Sequence, residues 1–500
     1  GQGANNKISQ TFSFVDAVNK DFHLAAGDTA AKNAGADLSA DANLAVTTDV
    51  EGYLRPTGAG VVDIGADEEG VTVIPSSSGT FESATIDLGA SGADFSTLTW
   101  NPGSQPVGTN LYFDVAANND NNTWNYLPLS DEAYPAGVTV KVSDIKQGCT
   151  GTLSTDTCFG SLSAWEAAKQ RDLVAANEIE IAKIDGAWTA ADTTAVTIDG
   201  WTTDATRYIR IYTTPAARHS GKWDTGKYRM YFTTSADIFK VMENYTRIDG
   251  LQLESNRNEG FVVIRVGPSP ADNVQISNSI IKSSQDINLL TGYGIQVDDS
   301  VKNISIYNTI VYGFKKTTGG NNSVGININY DNTGWIYNNT VYDSDYGFTG
   351  YYSRPVLKNN IVQQAIVDGY YPTGGASPSF SSLSDYNISN FASDAPSPSY
   401  RSGLSTTVSF VSTSTKDFHL ASADTAAKNA GADLSADANL AVTTDVEGYL
   451  RPTGAGVVDI GADEQGATAM PTTGYIPANL DNNRYVRYKA YFTTSDTAYT

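Results

Sequence analysis

The sequence contains few of the residues that form disulfides or bind charged partners. It has two cysteines and three methionines among 500 residues, and only 17% of the residues are charged. Basic residues number 32 against 55 acidic ones, which gives a formal net charge of −23. We expect no nucleic-acid partner, because so acidic a chain cannot neutralise phosphates. No apolar run reaches the roughly 20 residues that cross a bilayer, so no membrane span is expected either.

The two cysteines, Cys149 and Cys158, enclose a short, turn-rich segment. Their spacing does not fit CxxC redox chemistry, and no histidine lies nearby to complete a zinc site. A local disulfide in an oxidising compartment and a pair of free thiols both remain open. We expect no cofactor, with a structural Ca²⁺ left open. The chain does not begin with Met and shows no signal peptide, which indicates a removed leader or a piece of something longer.

What the sequence does contain is a nearly identical internal repeat. Residues 20–68 and 416–464 differ at two positions, and Lys416 follows Lys20 by 396 residues. One interpretation is a tandem protein, of which the chain holds the tail of one module, one whole module and the start of another. The alternative is one closed protein whose duplicated ends meet in an assembly. Both interpretations indicate head-to-tail modularity.

A shorter repeat occupies about residues 197–391, and it has two kinds of element. The first begins with Asn or Asp followed by apolar β-formers, at Asp249, Asn278, Asn308, Asn339 and Asn359. The second begins with Gly, at Gly260, Gly294, Gly325, Gly347 and Gly369. Two short strands at a period of about 20 to 34 residues predict stacked coils of parallel strands. Asn at the same corner of successive coils predicts a ladder of side-chain amides.

A solenoid needs a cover at each end. Residues 161–171 form the clearest helix of the chain, with Ser163 and Glu166 as a capping box. We expect Trp165 of this helix to plug the first coil. The repeated segment at 416–464 follows the coils and is expected to close the other end.

Several motifs carry a resemblance to a known family. They are SLSAWEAA at Ser161, TIDGWTTDATRYIRIYT at Thr197, RHSGKWDTGKYRMYF at Arg218, SDYNIS at Ser384, and DFHL…NAGADL…DVEGYLRP…DIGADE. Over roughly residues 135–466 the chain resembles the right-handed parallel β-helix (pectate-lyase-like) repeat proteins of bacterial surfaces. The resemblance implies an all-β fold and an extracellular or cell-surface location, and it says little about chemistry.

The two flanks of the solenoid have a different pattern. Residues 71–134 alternate apolar and polar side chains around an Asn/Asp-rich hairpin at 118–122 and resemble the first half of an extracellular β-sandwich (Ig- or jelly-roll-like). Residues 467–500 resemble the second half. We hypothesise that the C-terminal strands of one subunit complete the half-sandwich of the next, as in strand complementation. The alternatives are that the halves meet within one molecule or that the chain is an excerpt of a longer protein. The assembly residues of the hypothesis are Tyr485, Val486, Tyr488, Tyr491 and Phe492.

The sequence thus predicts an all-β chain: a right-handed parallel β-helix with a β-sandwich module and one short capping helix. Its five predicted regions are a β-helix closing segment (1–70), a half-sandwich (71–134), an N-terminal cap (135–195), the β-helix with its closing motif (196–466) and the second half-sandwich (467–500).

No catalytic residue is predicted. Acids and arginines that could form a polysaccharide lyase or hydrolase centre are Asp298, Asp299, Asp331, Asp343, Asp345, Arg265 and Arg354. Asp298 and Asp299 follow a coil strand at a turn, where solvated acids are common. His23 and His419 are copies of one another within the repeat, which favours a structural role. His219 is interpreted as part of a packed turn.

Exposed aromatic residues give a second functional hypothesis. The candidate ligand-binding residues cluster over adjacent coils and could stack on sugars; they are Trp335, Tyr337, Tyr342, Tyr346, Tyr351 and Tyr352. Tyr is also simply a good strand former. The sequence therefore predicts a non-enzymatic structural or adhesive extracellular protein, a self-associating subunit of a head-to-tail fibre. The alternative is a polysaccharide-binding protein, or a polysaccharide lyase or hydrolase on a pectate-lyase-like fold.

Overall fold

The computed structural model describes residues 10–494 apart from 19–20, 40, 42–45, 47–54, 57–61, 70–77, 93, 102–108, 131–132, 235–236, 269, 286–290, 317–321, 374–379, 392–393, 397–405, 455 and 468.

The N-terminal strands are β1 Phe14–Asp16, β2 Asp21–Leu24, β3 Ser78–Glu82, β4 Ile86–Asp87, β5 Thr97–Thr99, β6 Thr109–Asn118 and β7 Leu127–Pro128. The central elements begin with β8 Thr139–Ile145, β9 Cys158–Phe159, helix α1 Leu162–Lys169, helix α2 Leu173–Ala176, β10 Glu178–Ile184, β11 Val196–Ile198, β12 Ile209–Thr213, β13 Met230–Phe232, β14 Asp237–Val241, β15 Thr246–Asp249, β16 Gln252–Ser255, β17 Phe261–Val266 and β18 Gln275–Ser277. They continue with β19 Ile280–Ser283, β20 Gly292–Val297, β21 Ile304–Tyr307, β22 Ile310–Tyr312, β23 Val324–Ile328, β24 Gly334–Tyr337, β25 Thr340–Tyr342, β26 Tyr346–Tyr351, β27 Val356–Lys358, β28 Ile361–Gln363 and β29 Asp368–Thr373. The C-terminal elements are β30 Phe410–Ser412, β31 Asp417–Leu420, β32 Thr473–Tyr475, a 3-10 helix Ala478–Leu480 and β33 Tyr485–Thr494.

Three parallel sheets run side by side through the centre of the chain. Their strand orders are β27-β24-β21-β18-β15-β12-β10-β8-β9, β11-β14-β17-β20-β23-β26-β29 and β13-β16-β19-β22-β25-β28. Successive strands of one sheet come from successive coils, so each full coil contributes one strand to each sheet. The predicted all-β fold, a parallel β-helix with a small antiparallel module, is confirmed. The prediction of two strands per coil is wrong, because the Asn lies at a corner and a further strand of another sheet precedes it.

The corner between the nine-stranded and six-stranded sheets explains this asparagine pattern. Asn278, Asn308 and Asn359 all have a positive φ, between 48° and 55°, which lets the chain turn sharply after a strand. The Asn308 side-chain amide donates to Asn278 Oδ1 at 3.1 Å. One residue further along the coil, Asn339 donates to Asn360 Oδ1 at 3.0 Å, and Asn360 donates onward to Asn387 Oδ1 at 2.9 Å. These bonds form the predicted amide ladder, in two adjacent columns.

Packing against the neighbouring sheet explains why glycine recurs in the second kind of repeat element. A Cβ on Gly294 would lie 2.7 Å from Val311 Cγ1, and one on Gly325 would lie 2.6 Å from Val341 Cγ1. On the next coil a Cβ on Gly347 would lie 2.5 Å from a methyl carbon of Val362. Because a valine of the neighbouring sheet fills this space on these three coils, only glycine fits at the three positions.

The N-terminal end of the solenoid is covered by helix α1. The helix is capped by Ser161, whose Oγ accepts from the Ala164 backbone N–H at 3.1 Å, and not by the predicted Ser163. Glu166 accordingly makes no capping box and instead accepts from the Asp199 backbone N–H at 3.2 Å. Trp165 is fully buried, and its indole donates to Glu180 Oε1 at 3.2 Å. The parallel stacking starts inside the region predicted as a cap, because β8 and β10 already pair in register.

Cys149 and Cys158 are joined by a disulfide, with a Cα–Cα distance of 5.6 Å. The bridge closes the loop that leads from β8 into β9, the edge strand of the nine-stranded sheet.

Residues 416–464, the closing segment, cover the side of the solenoid. Phe418 packs against Tyr312 and Tyr342 with ring centroids 5.1 and 4.9 Å apart, in a cluster that includes Ile280 and Ile310 of the six-stranded sheet. The segment therefore lies along the outer face of that sheet. The sequence had instead predicted that it would cover the end of the solenoid. Consecutive apolar residues in β19 and β22 explain the difference, because such strands are buried on both faces.

The first copy of the repeat, residues 20–68, makes a hydrogen bond equivalent to one in the closing segment, but its apolar face is exposed. The Leu24 backbone N–H donates to Asp67 Oδ2 at 2.6 Å, as that of Leu420 does to Asp463 Oδ2 at 2.7 Å. Phe22, however, is 59% exposed, whereas its counterpart Phe418 is 2% exposed. The repeat thus makes the same local fold twice, and one of the two copies has its apolar face buried.

The two halves of the sandwich pair within one chain. The sheet order is β3-β33-β6-β7, and β4 adds to β33 with Val486 opposite Ile86. Tyr488 packs against Phe81 and Phe113. The strand β33, which carries all five predicted assembly residues, therefore completes the sandwich of its own molecule. This pairing follows the intramolecular alternative, and exchange of the strand between subunits stays a prediction.

The chain divides into two units, one of residues 1–80, 106–111 and 491–500 and the other of residues 81–105 and 112–490. Among the residues described, no helix has the length and hydrophobicity needed to cross a bilayer.

Candidate functional site

The outer face of the seven-stranded sheet carries one side chain from each strand in a continuous row. Strand register aligns seven residues across the sheet: Thr197, Lys240, Arg265, Gln296, Asn327, Thr349 and Tyr371. The residues on either side of the row, such as Ile264 and Val266, are buried in the core. At a strand spacing of about 4.8 Å the row is about 29 Å long. We call it the polar row.

Arg265 lies at the centre of an ionic cluster in the polar row. Its Nε donates to Asp237 Oδ2 at 3.0 Å, and an η nitrogen donates to Asp298 at 3.2 Å. Gln296, the next residue of the row, donates to Asp298 Oδ1 at 2.6 Å. Burial opposes the charge of the guanidinium, but hydrogen bonds and the charge of Asp237 raise the pKa of Arg265 above its ordinary value. The cluster thus holds two carboxylates in fixed positions at the surface of the sheet.

Three tyrosines form an aromatic cluster at the carboxyl ends of the strands. The ring centroids of Tyr330 and Tyr351 lie 4.1 Å apart at right angles, and those of Tyr330 and Tyr352 lie 5.5 Å apart and stacked. Tyr330 is 41% exposed and Tyr352 is 49% exposed. Asn329, which precedes Tyr330, accepts from Asn327 of the polar row at 3.1 Å. The cluster therefore adjoins the row directly.

The last coils add a pair of tyrosines and a pair of acids. Tyr346 and Tyr371 contact each other with ring centroids 5.0 Å apart, and Tyr371 is 39% exposed. Asp368 opens the strand that carries Tyr371, and Asp394 Oδ2 accepts the Gly369 backbone N–H at 2.6 Å.

Asp394 neighbours Asp368 and changes its acidity. Among the described residues no donor reaches Asp368 Oδ1 or Asp394 Oδ1, and both atoms are buried. Burial first, and then the hydrogen bond and charge of Asp394, raise the pKa of Asp368 to about 7. Asp368 therefore keeps much of its proton near neutral pH and can act as an acid there.

The six aromatic residues predicted to bind ligand lie on different sheets of the solenoid. Tyr346, Tyr351 and Tyr352 lie on the outer face of the seven-stranded sheet. Trp335, Tyr337 and Tyr342 lie on the other two sheets, where the closing segment packs over them. Tyr337 is 1% exposed and cannot stack on a ligand.

Sequence reasoning missed Tyr330, Tyr371 and the Asp368–Asp394 pair. Tyr371 could have been found, because it follows Gly369 of the predicted glycine element by two residues. The acid pair has no such signal, since Asp394 lies in an irregular segment beyond the last coil strand.

Other polar candidates have structural roles. His219 is fully buried: Nδ1 accepts the Gly221 backbone N–H at 3.2 Å, and Nε2 is 2.9 Å from the Asn278 carbonyl. Burial, and after it the charge of Arg218, lower the pKa of His219 to about 3, so the ring is neutral. Asp345 is fully buried and accepts the backbone N–H groups of Lys316 and Ser323.

Comparison with known proteins adds one match. No family model matches the chain, and no curated protein matches it. Among solved structures, the chain is similar to the pectin methylesterase from Aspergillus niger. The identity is 12% and the TM-score 0.30, over 56% of this chain and 96% of that one.

The prediction that this chain is not an enzyme is withdrawn: the matched protein is an enzyme, and the match shows neither the presence nor the absence of activity in this chain. At this TM-score the match assigns no site residue and no substrate to this chain.

Proposed function

We propose that the chain is an extracellular polysaccharide-binding protein that holds an extended glycan along the polar row. The observation that supports this most is the row itself, a line of polar side chains about 29 Å long with exposed tyrosines at its last coils. Asn327 and Thr349 within the row are only 8% and 7% exposed and bond to each other. A sugar ring presents apolar C–H faces and a rim of hydroxyl groups. Such a ligand needs aromatic surfaces beside donors and acceptors, and both occur together on this face. The disulfide between Cys149 and Cys158 supports an oxidising, extracellular location.

The tyrosines supply the apolar contact. Exposed aromatic residues that touch each other form a larger apolar patch than scattered ones, and such patches mark binding surfaces. Tyr330 and Tyr352 expose their rings beside the row, and Tyr371 lies within it. Arg265 is neutralised by Asp237 and Asp298, so the row offers hydrogen bonds without a strong positive field. A glycan with neutral, hydroxyl-rich residues therefore fits this surface better than a polyanion does.

Affinity electrophoresis through gels that contain single polysaccharides tests the proposal. We expect retardation of the wild-type chain by at least one neutral polysaccharide, and loss of retardation in a Tyr330→Ala/Tyr352→Ala/Tyr371→Ala variant. Tyr475→Ala is the matched control, because Tyr475 is also exposed but belongs to the sandwich. Equal retardation of wild type and triple variant, or loss of retardation in the control alone, would contradict the proposal.

A second candidate function, hydrolysis of the bound glycan, is favoured by the raised pKa of Asp368 beside Asp394. A carboxylic acid with a pKa of about 7 can donate a proton to a leaving group near neutral pH. Asp394 is the neighbouring group that would accept a proton from water. The two carboxyls are hydrogen-bonded to each other, whereas inverting glycosidases hold theirs about 6.5–9.5 Å apart. Water attack on an ester substituent of the glycan therefore fits this pair better than cleavage of the chain.

Release of ester groups and of reducing ends from the retarded polysaccharides separates these reactions. We expect release of ester groups, and a loss of about 100-fold or more in Asp368→Asn. Asp237→Asn is the control, because Asp237 lies on the same face in the Arg265 cluster. A loss of activity in Asp237→Asn with full activity in Asp368→Asn would overturn the assignment.

A further inference from the structure

A group of metal-ligating side chains lies in the closing segment, away from the polar row. His419, Glu447 and Asp463 each place one ligand atom so that all three lie within 4.8 Å of one another. His419 belongs to β31, Glu447 to the turn that follows Val446, and Asp463 to the DIGADE motif. All three are half-buried or buried. Residues separated by up to 44 positions are thus gathered at one point.

The imidazole of His419 has the orientation that is usual for a histidine that binds a metal. His419 Nδ1 lies 2.6 Å from Asp417 Oδ1, so the Nδ1–H donates to that carboxylate. This bond turns Nε2 towards Glu447 Oε2, 3.3 Å away. A carboxylate on one imidazole nitrogen fixes the tautomer and directs the other nitrogen towards a metal, and here that nitrogen is ion-paired with Glu447, which the ion would bind as well. Asp417 is held in turn by Lys222, whose Nζ is 3.4 Å from it.

A fourth acid beside the cluster has an oxygen without a partner. Asp445 is fully buried, and its Oδ1 accepts the backbone N–H groups of Glu447, Gly448 and Tyr449 at 2.9–3.0 Å. Its Oδ2 is buried and has no hydrogen-bond partner among the described residues. A buried carboxylate oxygen without a partner is costly, and a cation is one way to satisfy it.

The space around the imidazole is confined by the loop that precedes β13. Gly221 has a φ of +69°, and a Cβ there would lie 2.3 Å from His419 Nε2. Any other residue would fill the space into which Nε2 points. The site is therefore bounded by this loop on one side and by the closing segment on the other.

We propose that His419 Nε2, Glu447 and Asp463 bind one divalent transition-metal ion, with a water molecule as the fourth ligand and Asp445 as a nearby buried acid. The donor set selects the ion. One imidazole with two or three carboxylates suits Zn²⁺, whereas Ca²⁺ and Mg²⁺ take oxygen ligands. The ion would join β31 to two later turns of the segment and so would stabilise its docked form.

The chain contains its own control for this proposal. The first copy repeats the set as His23, Glu51 and Asp67, and Glu51 lies outside the described residues. His23 Nδ1 is 2.5 Å from Asp21 Oδ1, as in the closing segment. The His23 side chain is, however, 50% exposed against 24% for His419. We therefore expect one tight site, in the closing segment.

Calorimetric titration of the tag-free chain with ZnCl₂, after treatment with chelator, tests the proposal. We expect one ion per chain, and a melting temperature raised by about 2–5 °C at saturating Zn²⁺. Glu447→Gln and His419→Ala should each lower the Zn²⁺ affinity at least 10-fold, while His23→Ala leaves it unchanged. Glu447→Gln preserves the shape of the side chain and guards against simple misfolding of the histidine variant.

Three results would overturn the assignment. The first is no heat and no thermal shift with Zn²⁺ up to 1 mM, roughly the limit for a weak ligand. The second is equal loss of binding in His23→Ala and His419→Ala. The third is stabilisation by Ca²⁺ that is as large as that by Zn²⁺, which would mean an oxygen-only site.

Discussion

At the scale of single residues, the structure shows how burial changes the chemistry of identical side chains. Asp343, which is ion-paired with Lys315 at 3.1 Å, and Asp368, which faces another acid, are both aspartates near coil corners. Sequence alone could name them as acids but could not rank them, because the partner of Asp368 is 26 residues away in an irregular segment. The same limit applied to Tyr337 and Tyr352. Tyr337 ends a coil strand and Tyr352 follows one, and only the docked closing segment decides that the first is buried.

The Asp368–Asp394 pair gives a pH-dependent stability with a definite sign. The pKa of Asp368 is raised to about 7 in the folded chain, above the ordinary value near 4 that it has when unfolded. The folded state therefore binds the proton more tightly, so the stability that the proton gives is complete below pH 4 and is lost as pH rises towards 7.

Asp368→Asn removes this titration. We expect the melting temperature of the variant, relative to that of the wild type, to rise between pH 4 and pH 8. The change in free energy of unfolding should be roughly 1 kcal/mol, since solvent screens a half-exposed pair. A difference between the two chains that is constant over this range in differential scanning calorimetry would contradict the raised pKa of Asp368.

At the scale of elements, the coil repeat was readable because each of its features has a local cause. Asparagine at the corners supplies a positive φ, and glycine at the next element leaves room for a valine of the adjacent sheet. The number of strands per coil was misjudged, since a single asparagine turns the chain without a break in the apolar pattern. The cap of α1 was placed two residues late for a similar reason, because Ser161 and Ser163 both fit the local rule.

The glycine column gives a prediction about coupling between two sheets. Gly325→Ala should lower the free energy of unfolding by about 1–3 kcal/mol, because the added Cβ meets Val341 Cγ1 at 2.6 Å. Val341→Ala in the same chain should recover part of that loss, with a coupling energy of at least about 0.5 kcal/mol. Urea unfolding of the two single variants and the double variant measures this. Strictly additive losses would show that the valine does not limit the space at Gly325.

At the scale of the whole molecule, the two copies of the repeat have the same local fold, but only the second copy packs its apolar face against the solenoid. Both copies form the same internal hydrogen bonds, yet Phe418 is buried against the six-stranded sheet and Phe22 is exposed. The sequence could predict the likeness of the copies from their near identity. It could not predict this difference, because the surface that buries Phe418 belongs to coils more than 70 residues earlier in the chain.

The two phenylalanines form a matched pair for measuring the docking. Phe418→Ala should lower the stability of the closing segment by about 3–5 kcal/mol, because it leaves a cavity among Tyr312, Tyr342 and Phe410. Phe22→Ala should change stability by less than about 1 kcal/mol. Native-state hydrogen exchange resolves the two copies separately. Equal effects of the two substitutions would mean that the apolar face of the first copy is also buried in solution.

The central claim is that a glycan lies along the polar row of the seven-stranded sheet. The most direct measurement is a crystal structure of the chain with an oligosaccharide of a retarded polysaccharide. The account predicts density that crosses several coils beside Gln296 and Asn327, with sugar rings against Tyr330, Tyr352 or Tyr371. Density confined to the sandwich or to the closing segment, with this face empty, would contradict it.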